Sequence, residues 1–435
     1  MTLRQRPDPL SSAHKWWRVA LVGAGLAAVA VHSLVIGHRR AAHPGDFDIS
    51  REFGRRFLAG DDLYAGGLHY PYLPSAAMYF SPLALLPPGV GLALRYAVAL
   101  ACVGLTFSLL ARLLAEHHPR VQQRRLPIAG LTSVLAAHYI IRDLDDGGPH
   151  LILLGLVVGG IYLAWKRRDV RAALCFGLGA ALKAPLVLLL PFFLWRQRWR
   201  LAAFSALATL GWVALPALWM GVGSWWSHQQ QWSTIVAASA LGRPLARADA
   251  NERRVQNQAL KPTLMRYLAP TTQDPPHPLA PLGGTPPIDL PRSMADGLAT
   301  MALVGLLVAC GWRDQMVQRT TDTGGQPPAH NGRVWLLECG AALVLSVVLA
   351  PLAWVQHLVL LIPALYLIVA DHLAGDGSDS ATRAAVAVYA LLALVANREL
   401  LGRDVYLCLL AAGLHTVCML IVLAIILRQP ILHAD

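Results

Sequence analysis

The stretch His43-Pro-Gly-Asp-Phe-Asp-Ile-Ser50 separates two hydrophobic segments and carries two carboxylates, Asp46 and Asp48, one residue apart. Charged groups beside a bilayer are costly unless they are solvated, paired or used in the function of the protein. The stretch therefore marks the polar edge of a membrane protein. If the chain is an enzyme, its chemistry starts here, and the rest of the chain is a scaffold that holds other polar groups against these carboxylates.

The composition of the chain indicates a membrane protein. Of its 435 residues, 55% are hydrophobic and 14% are charged. Hydrophobic runs of about 17 to 25 residues recur from one end to the other, and each is long enough to cross ~30 Å of hydrocarbon as a helix. The sequence predicts an all-α fold, a polytopic transmembrane bundle of roughly 10–12 membrane helices that forms a single integral membrane domain over residues 1–435.

The charge and the cysteines exclude two other classes of protein. The net charge of +12 comes from Lys and Arg in short clusters at the ends of hydrophobic runs, where such residues set membrane topology. Nucleic acid is therefore not an expected partner. The six cysteines are scattered, mostly inside apolar runs, without a C-x-x-C pair. This pattern excludes a zinc ribbon or a disulfide framework as the organising device.

Basic residues predict how the chain is oriented. The N-terminal tail is basic, which favours a cytoplasmic tail, an uncleaved first span at 17–37 and an outer position for Asp46. Arginines between 38 and 56 lie on the same outer side and oppose this assignment locally, so later loops decide it. We expect a first external loop at 38–75, a long external loop at 222–296, and a multi-pass protein of the cell's inner (plasma) membrane.

The remaining hydrophobic runs predict further membrane helices. These fall at 90–112, 126–141, 150–165, 200–221, 297–312, 333–350, 352–370, 382–396 and 404–427. The short run before Pro87-Pro88-Gly89 is better suited to a re-entrant or interfacial element. Residues 47–58 place phenylalanines on one face of a helix and arginines on the other, which predicts an interfacial helix that lies flat on the membrane.

The segment 171–195 has basic residues at both ends but fits only one crossing. Lys183 and Pro185 lie in its middle. A charge followed by a proline predicts two half-helices that form a broken hairpin, with the lysine facing protein or water.

On this topology several polar residues collect on the outer side of the membrane. They are Asp46, Asp48, Asp143, Asp145, Asp146, Asn257, Gln258, Gln356 and His357. A carboxylate at the membrane edge can deprotonate an acceptor hydroxyl, while His, Lys, Arg or a metal ion stabilises a phosphate leaving group. The convergence predicts a polar site of this kind. A divalent cation is one alternative for the phosphate, and no metal ligand set is assigned.

Several of these residues also have a structural explanation. Asp48 precedes a helix and can cap it, whereas Asp46 lies further upstream and is the better candidate for a functional carboxylate. The aspartates at 143–146 fit a solvated turn in which one carboxylate faces inward. His357 fits an interfacial residue that snorkels, and Lys183 fits a purely structural pair.

Several motifs occur in order along the chain. They are Gly45-Asp46-Phe47 with Arg56-Phe-Leu-Ala-Gly-Asp-Asp-Leu-Tyr64, Tyr70-Pro-Tyr-Leu-Pro74 with Ser81-Pro82-Leu83, Gly177-Leu-Gly-Ala-Ala-Leu-Lys183-Ala-Pro185, Asn257-Gln258-Ala259-Leu260, and Ala350-Pro-Leu-Ala-Trp354-Val-Gln-His357. Together they resemble glycosyltransferase family 87, polytopic enzymes of the GT-C type that include polyprenol-phosphate-mannose-dependent α-1,2-mannosyltransferases. Three positions depart from the family's pattern: His150 ends Gly-Gly-Pro-His where the family has a G-Q-x-N-like element, Ala259 replaces a serine, and Gln356 replaces the first of two histidines.

The resemblance implies a GT-C fold and a polyprenyl-phosphate-sugar donor whose chain lies in the bilayer among membrane lipids. It implies inverting transfer of a hexosyl, in particular a mannosyl, residue to a glycan or glycolipid acceptor on the extracytoplasmic side. Asp46 is then the general base, with Asp48 as the alternative. His357, with Lys183 or a loop arginine, holds the donor phosphate. Further candidates for substrate binding are Asn257, Gln258, Gln356, Asp146 and His150.

Two other functions stay open from the sequence. A transporter or flippase predicts matched inverted repeats with charged residues near mid-membrane, whereas these carboxylates cluster at one interface. A non-catalytic protein of cell-envelope assembly, which keeps the scaffold, is compatible with the departures from the family's motifs.

Overall fold

A computed structural model of the protein describes residues 45–65, 72–116, 119–240, 255–269, 288–322, 331–374, 379–395 and 397–428. These ranges contain helices and connecting segments and no β-strand, which confirms the all-α fold. The six cysteines are free thiols. The expected first span at 17–37 and the proline-rich end of the long external loop, 274–287, lie outside the described residues.

The helices of the first half of the chain are α1 Asp46–Ala59, α2 Pro74–Ala84, α3 Pro88–Ala115, α4 Pro119–Gln123, α5 Arg125–Leu135, α6 Ala137–Asp146, α7 His150–Trp165, α8 Asp169–Leu182, α9 Leu189–Trp195, α10 Trp199–Ala214 and α11 Ala217–Met220. Those of the second half are α12 Val222–Ala240, α13 Leu260–Leu268, α14 Arg292–Asp322, α15 Gly332–Val348, α16 Ile362–Ala374, α17 Ser380–Val395, α18 Arg398–Leu401, α19 Arg403–Ala411 and α20 Leu414–Arg428. Two segments are 3-10 helices, Ala184–Leu188 and Val355–Leu361.

Several described helices are long and apolar enough to cross a membrane. Four of them span Pro88–Ala115, Trp199–Met220, Arg292–Gly311 and Val355–Ala374. Helices α19 and α20 together pass the same test but are bent by 53° where they meet. Shorter apolar helices, of which α7 is one, pack among them. The protein is thus a polytopic helical membrane protein, and the larger number of crossings expected from the sequence stays a prediction.

Three segments differ from the expected spans. The run 126–141 is divided between α5 and α6 at Ala136, whose φ of −102° and ψ of 5° depart from helical values. The run 404–427 is divided between α19 and α20 by their bend. The expected long loop 222–296 begins with the 19-residue helix α12 and contains α13. Helix α13 packs on the bundle through a mixed face, in which Leu260, Thr263 and Arg266 are buried.

The apolar face of α1 lies against protein. Phe53 and Phe57 belong to the main core, and Phe47 packs with Leu92 and Tyr96 of α3. Burial of three large side chains, each about 1.5–3 kcal/mol when complete, fixes this helix against the bundle. The helix that carries Asp46 is therefore held by the core and not only by the membrane surface.

A polar contact also ties α1 to α2. Arg51 donates from Nε to the Leu83 carbonyl at 3.2 Å and from Nη2 to the Leu86 carbonyl at 2.8 Å. These carbonyls lie at the C-terminal end of α2, where helices leave backbone acceptors without internal partners. The arginine thus satisfies the end of α2 and sets its position relative to α1.

Helices α8 and α10 pack closely along each other at Gly177. A Cβ at Gly177 would lie 2.6 Å from Ala208 Cβ and 2.7 Å from the Thr209 backbone nitrogen. Small residues permit this close approach of membrane helices. At Gly211, further along α10, an added Cβ meets nothing within 4 Å in the described chain outside its own helix.

We expect Gly177→Ala to lower the free energy of unfolding by about 1–3 kcal/mol, because the added methyl group forces α8 away from α10. The matched variant Gly211→Ala is expected to leave stability unchanged or slightly higher, since alanine favours a helix more than glycine does. Melting temperatures of the two variants in the same detergent provide the measurement. Equal melting temperatures would show that the contact at Gly177 does not limit stability.

Candidate active site

A buried carboxylate, Asp143, joins three helices near the end of α6. Its side chain has 0% of its surface exposed, and Oδ2 lies 3.3 Å from Arg95 Nη2 on α3. The backbone N–H groups of His150 and Leu151, in the first turn of α7, donate to its two oxygens at 3.2 Å each. Burial raises the pKa of Asp143 to about 6, whereas Arg95 and the two N–H groups oppose that rise. Because Arg95 and two N–H groups donate to it, this carboxylate serves as a hydrogen-bond acceptor.

His150 begins α7 and is turned toward Asp143. Its Nδ1 lies 2.8 Å from Asp143 Oδ1. Gly148 leaves room for this contact, because a Cβ there would lie 2.8 Å from His150 Nδ1 and 2.9 Å from Asp143 Oδ1. Since an ionised carboxylate only accepts hydrogen bonds, Nδ1 carries the imidazole proton and Nε2 is left as an acceptor.

Lys183 occupies the break that follows α8. Its backbone is extended, with φ −143° and ψ 100°, and Pro185 prevents the helix from continuing. Its Nζ lies 2.6 Å from His150 Nε2 and 2.6 Å from His357 Nε2. It also lies 5.4 Å from the centre of the Tyr72 ring. The expected helix break and a lysine that faces protein are both present.

His357 lies in the second 3-10 helix, and its Nδ1 accepts a hydrogen bond from the Trp354 backbone N–H at 3.2 Å. Asn257 holds the preceding segment. Its Oδ1 accepts from the Ala353 backbone N–H at 2.9 Å, and its Nδ2 donates to the Pro351 carbonyl at 3.0 Å. Asn257 therefore positions the segment that carries His357.

The partners of Nδ1 in His150 and His357 show which atom donates in each contact with Lys183. A neutral His357 that accepts at Nδ1 carries its proton on Nε2, and this N–H points at Lys183 Nζ. On the other side, His150 Nε2 presents an acceptor to the same nitrogen. Both contacts are satisfied when Lys183 is a neutral amine that accepts from His357 and donates to His150. An anion placed beside this amine would favour its uptake of a proton.

Asp46 and Asp146 bring negative charge to the same region. Asp146 pairs with Arg142 at 3.2 Å. Asp46, at the first position of α1, lies within electrostatic range of both Asp146 and Lys183. The structure thus places three of the expected site residues, His150, Lys183 and His357, in direct contact, and Asp46 lies within electrostatic range of this cluster.

Three other expected site residues have mainly structural surroundings. Asp48 Oδ2 accepts a hydrogen bond from the Gly45 backbone N–H at 3.0 Å, as a helix cap does. Gln258 is buried, and its amide group bonds to backbone atoms at 2.6 to 3.1 Å. Gln356 is buried in the same 3-10 helix as His357. The side chains of Asp48 and Gln258 thus bond to the backbone of the protein.

A cavity of about 20 Å³ lies against the basic cluster. Its lining includes His150, Lys183, Pro185, Ser346 and His357. This volume holds about one water molecule. A phosphate group is larger, so its binding requires the side chains around Lys183 to move apart.

Among the residues that the structure describes, no three His, Cys, Asp or Glu side chains come together as metal ligands. The basic groups that the cluster itself supplies are Lys183 and two histidines. Mg²⁺ is commonly held by one or two carboxylates together with substrate phosphates. The divalent-cation alternative therefore stays open on chemical grounds.

Two central residues of the site were not singled out by the sequence. Asp143 is one of three aspartates in a polar stretch, and nothing in the spacing shows which of them turns inward. Arg95 lies within the expected span 90–112, and a charge inside a membrane span is the signal that singled out Lys183. The same signal identifies Arg95. Its Nη1 is buried without a hydrogen-bond partner in the described part of the chain.

The model of glycosyltransferase family 87 matches residues 70–322, which is more than half of the chain. The chain belongs to glycosyltransferase family 87. The matched region contains Asp143, His150 and Lys183, while Asp46 and His357 lie outside it. The resemblance drawn from the motifs is therefore confirmed at the level of the family.

This member of family 87 is also similar to a curated protein of Mycobacterium tuberculosis, the polyprenol-phosphate-mannose-dependent alpha-(1-2)-phosphatidylinositol mannoside mannosyltransferase. The two are 28% identical over 249 residues, which cover 52% of this chain. The matched region spans 57% of the length of that relative. No solved structure matches this chain.

Asp146 lies outside the membrane spans and provides a test by pH. Burial raises the pKa of its carboxyl from 3.8 to about 7; Arg142 opposes the rise, and Asp46 adds to it. A carboxyl whose pKa is raised by folding holds its proton more tightly in the folded state than in the unfolded state. The free energy of unfolding therefore falls as the pH rises from about 4, the unfolded pKa, to about 7, the folded pKa. Asp146→Asn should therefore raise the melting temperature, relative to wild type, more at about pH 8 than at about pH 5.

Asp61→Asn is the control for this prediction, because Asp61 is an exposed carboxylate that follows α1. Its melting temperature relative to wild type should not change over the same interval of pH. A difference between Asp146→Asn and wild type that is independent of pH would show that Asp146 is ionised throughout.

Proposed function

We propose that this protein is an integral membrane glycosyltransferase that transfers a hexosyl, in particular a mannosyl, residue from a polyprenyl-phosphate donor to an acceptor hydroxyl. The observation that carries the proposal is the convergence of Asp46 with the Lys183 and histidine cluster in a chain of family 87. Such a site combines a base for the acceptor with basic groups for the phosphate.

Asp46 is the proposed general base. The acceptor oxygen forms a bond to the anomeric carbon while the bond from that carbon to the phosphate oxygen breaks. The electron pair of the broken bond leaves with the polyprenyl phosphate, and the acceptor proton passes to the Asp46 carboxylate. A single displacement of this kind inverts the anomeric configuration. Asp46 is preferred over Asp48 because the Asp48 carboxylate caps α1.

The proposed phosphate site is formed by Lys183, His150 and His357. The leaving phosphate gains negative charge as the glycosidic bond breaks, and a positioned basic cluster stabilises charge that develops in the transition state. Lys183 lies between two imidazoles, and the anionic donor phosphate, when it binds, favours uptake by this amine of a proton from solvent. Asp143 acts through His150, whose ring it orients by accepting from Nδ1.

The donor and acceptor classes follow from the relative. The name of that relative contains a polyprenol-phosphate-mannose donor and a phosphatidylinositol mannoside acceptor. For this chain we propose the shared chemistry, which is a mannosyl group on a polyprenyl phosphate and a hydroxyl of a glycan or glycolipid. The donor's hydrocarbon chain would lie in the surrounding bilayer.

The site is proposed to face the extracytoplasmic side of the inner membrane. Helix α7 begins at His150, in the site, and ends at Trp165, directly before the basic run Lys166-Arg-Arg168. Its 16 residues span about 24 Å as a helix. Basic residues favour the cytoplasmic side, so the opposite end of α7, which carries the site, faces outward.

Asp46→Asn is expected to lower kcat for sugar transfer by about 10²–10⁴-fold, because the amide cannot accept the acceptor proton. Asp48→Asn is the matched control, since it is the same substitution two residues away and leaves an oxygen to cap the helix. It should keep wild-type kcat. Transfer from polyprenyl-phosphate mannose to a glycolipid in membranes that contain each variant is the measurement.

Two results would contradict these assignments separately. Transfer by Asp46→Asn at the wild-type rate would remove Asp46 as the base while leaving the enzyme in place. Wild-type membranes that release no sugar from any polyprenyl-phosphate donor would overturn the proposed activity itself.

Lys183→Met is expected to lower kcat by about 10²–10³-fold, because the phosphate loses a group that takes up positive charge in the transition state. Lys166→Met is the matched control. Lys166 forms an exposed pair with Glu116 at 2.6 Å, and such pairs contribute about 0–1 kcal/mol. The same assay, with and without EDTA, measures both variants and separates the lysine from a divalent cation. Equal rates for the two variants would remove Lys183 from the phosphate site.

A further inference from the structure

A second cavity, of about 420 Å³, lies where α3 ends and α5 begins. Its polar lining is Ser108, Arg112, Gln122 and Arg125, and its apolar lining includes Phe107, Leu126 and Ala129. The volume falls within the range of about 300–1,000 Å³ that is typical of small-molecule sites. The cavity therefore combines two cations with an apolar floor.

The two arginines of this cavity have no hydrogen bond or ion pair within the described residues. The acidic side chain at the end of α3, Glu116, is bound to Lys166 at 2.6 Å and so is engaged elsewhere. Arg124, next to Arg125, is also occupied, because it donates to the Leu373 carbonyl at the end of α16. This contact anchors the segment between α4 and α5, which sets Arg125 beside Arg112.

The second cavity is separate from the candidate active site. Helix α3 carries Arg95, which contacts Asp143, and Arg112, which lines the cavity. Seventeen residues of helix separate the two arginines, a distance of about 25 Å. This is close to the thickness of the hydrocarbon core, so the cavity lies near the opposite face of the membrane.

The residues around the cavity indicate which class of ligand it binds. Leu126, at its mouth, has 76% of its surface exposed, and it begins an apolar helix, α5, whose Leu131 and Val134 are also exposed. An apolar surface of this kind at the end of membrane helices is in contact with lipid. Basic pockets between membrane helices on the arginine-rich face bind anionic headgroups. A free phosphate would use the arginines but not the apolar floor.

We propose that this cavity is a binding site for an anionic phospholipid of the membrane leaflet opposite the active site. The lipid phosphate lies between Arg112 and Arg125, with Gln122 as a further donor, and the first part of an acyl chain rests on Phe107 and Leu126. The lipid occupies a site that is independent of the donor and the acceptor. It adds a third lipid partner to the protein.

The experiment uses the full-length protein in a neutral detergent and measures bound lipid by native mass spectrometry during titration with dioleoyl phosphatidylglycerol. Dioleoyl phosphatidylcholine and inorganic phosphate are titrated in parallel. Phosphatidylglycerol should bind with the highest affinity of the three. Each surface arginine contributes about fivefold to binding of an anionic lipid, so the double variant Arg112→Gln/Arg125→Gln should bind it about 30-fold more weakly.

The double variant Arg171→Gln/Arg200→Gln is the matched control, because it removes the same charge from exposed positions outside this cavity. It should bind phosphatidylglycerol as the wild type does. Leu126→Glu keeps both arginines and places an acid at the exposed mouth, so it should also weaken binding. This variant tests the site even if the arginine variant fails to fold.

Three outcomes would overturn the proposal. Equal affinity for phosphatidylcholine would show that the arginines do not select charge. Equal affinity for inorganic phosphate would show that the apolar floor contributes nothing. An equal loss in the control pair would mean that the lipid responds to net charge and not to this cavity. None of these results depends on whether the protein transfers sugar.

Discussion

The buried carboxylate of Asp143 is the group on which the arrangement of the site depends. It accepts two backbone N–H groups from the first turn of α7, one imidazole N–H and a contact from Arg95. A charge out of water is tolerated only with partners of this kind, and removing one partner of a buried pair costs about 3–5 kcal/mol. Helices α3, α6 and α7 are therefore tied together at one point.

A series of contacts connects Asp143 to segments that are distant in the chain. Asp143 orients His150, His150 meets Lys183, and Lys183 meets His357. Each contact is short and little exposed to water, so it is strong when satisfied and costly when broken. Asn257 fixes the segment before His357 by hydrogen bonds to the backbone of that segment. The polar groups of a membrane bundle are thus organised as one connected cluster.

The two ends of α3 show opposite uses of an arginine. Arg95 is buried and compensates a carboxylate, so it serves the arrangement of the protein itself. Arg112 is exposed beside a cavity and has no acidic partner within the described residues. Burial demands a partner from the protein, whereas exposure leaves a cation available to an external anion. Arg95 therefore belongs to the scaffold of the candidate active site, whereas Arg112 belongs to the proposed lipid site.

Much of the fold follows from local sequence. Hydrophobic runs predict membrane helices because apolar side chains and internally bonded backbone are what a bilayer accepts. Asp48 predicts a cap at the start of α1, and Pro185 predicts the break at Lys183, because caps and prolines act within a few residues. The family's motifs placed Asp46, His150 and His357 among the candidates. The breaks at Ala136 and between α19 and α20 fall inside hydrophobic runs, so hydropathy alone did not predict them.

The sequence by itself determined that this chain is a helical membrane protein of family 87 and that Asp46 and Lys183 carry unusual charges for their surroundings. Only the tertiary structure decided that Asp143, and not its neighbours, turns inward, that Arg95 compensates it, and that two histidines flank Lys183. The physical reason is distance along the chain. Hydrophobic runs, caps and breaks are local, whereas the partners of a buried charge come from separate helices, and their pairing is known only when those helices are packed.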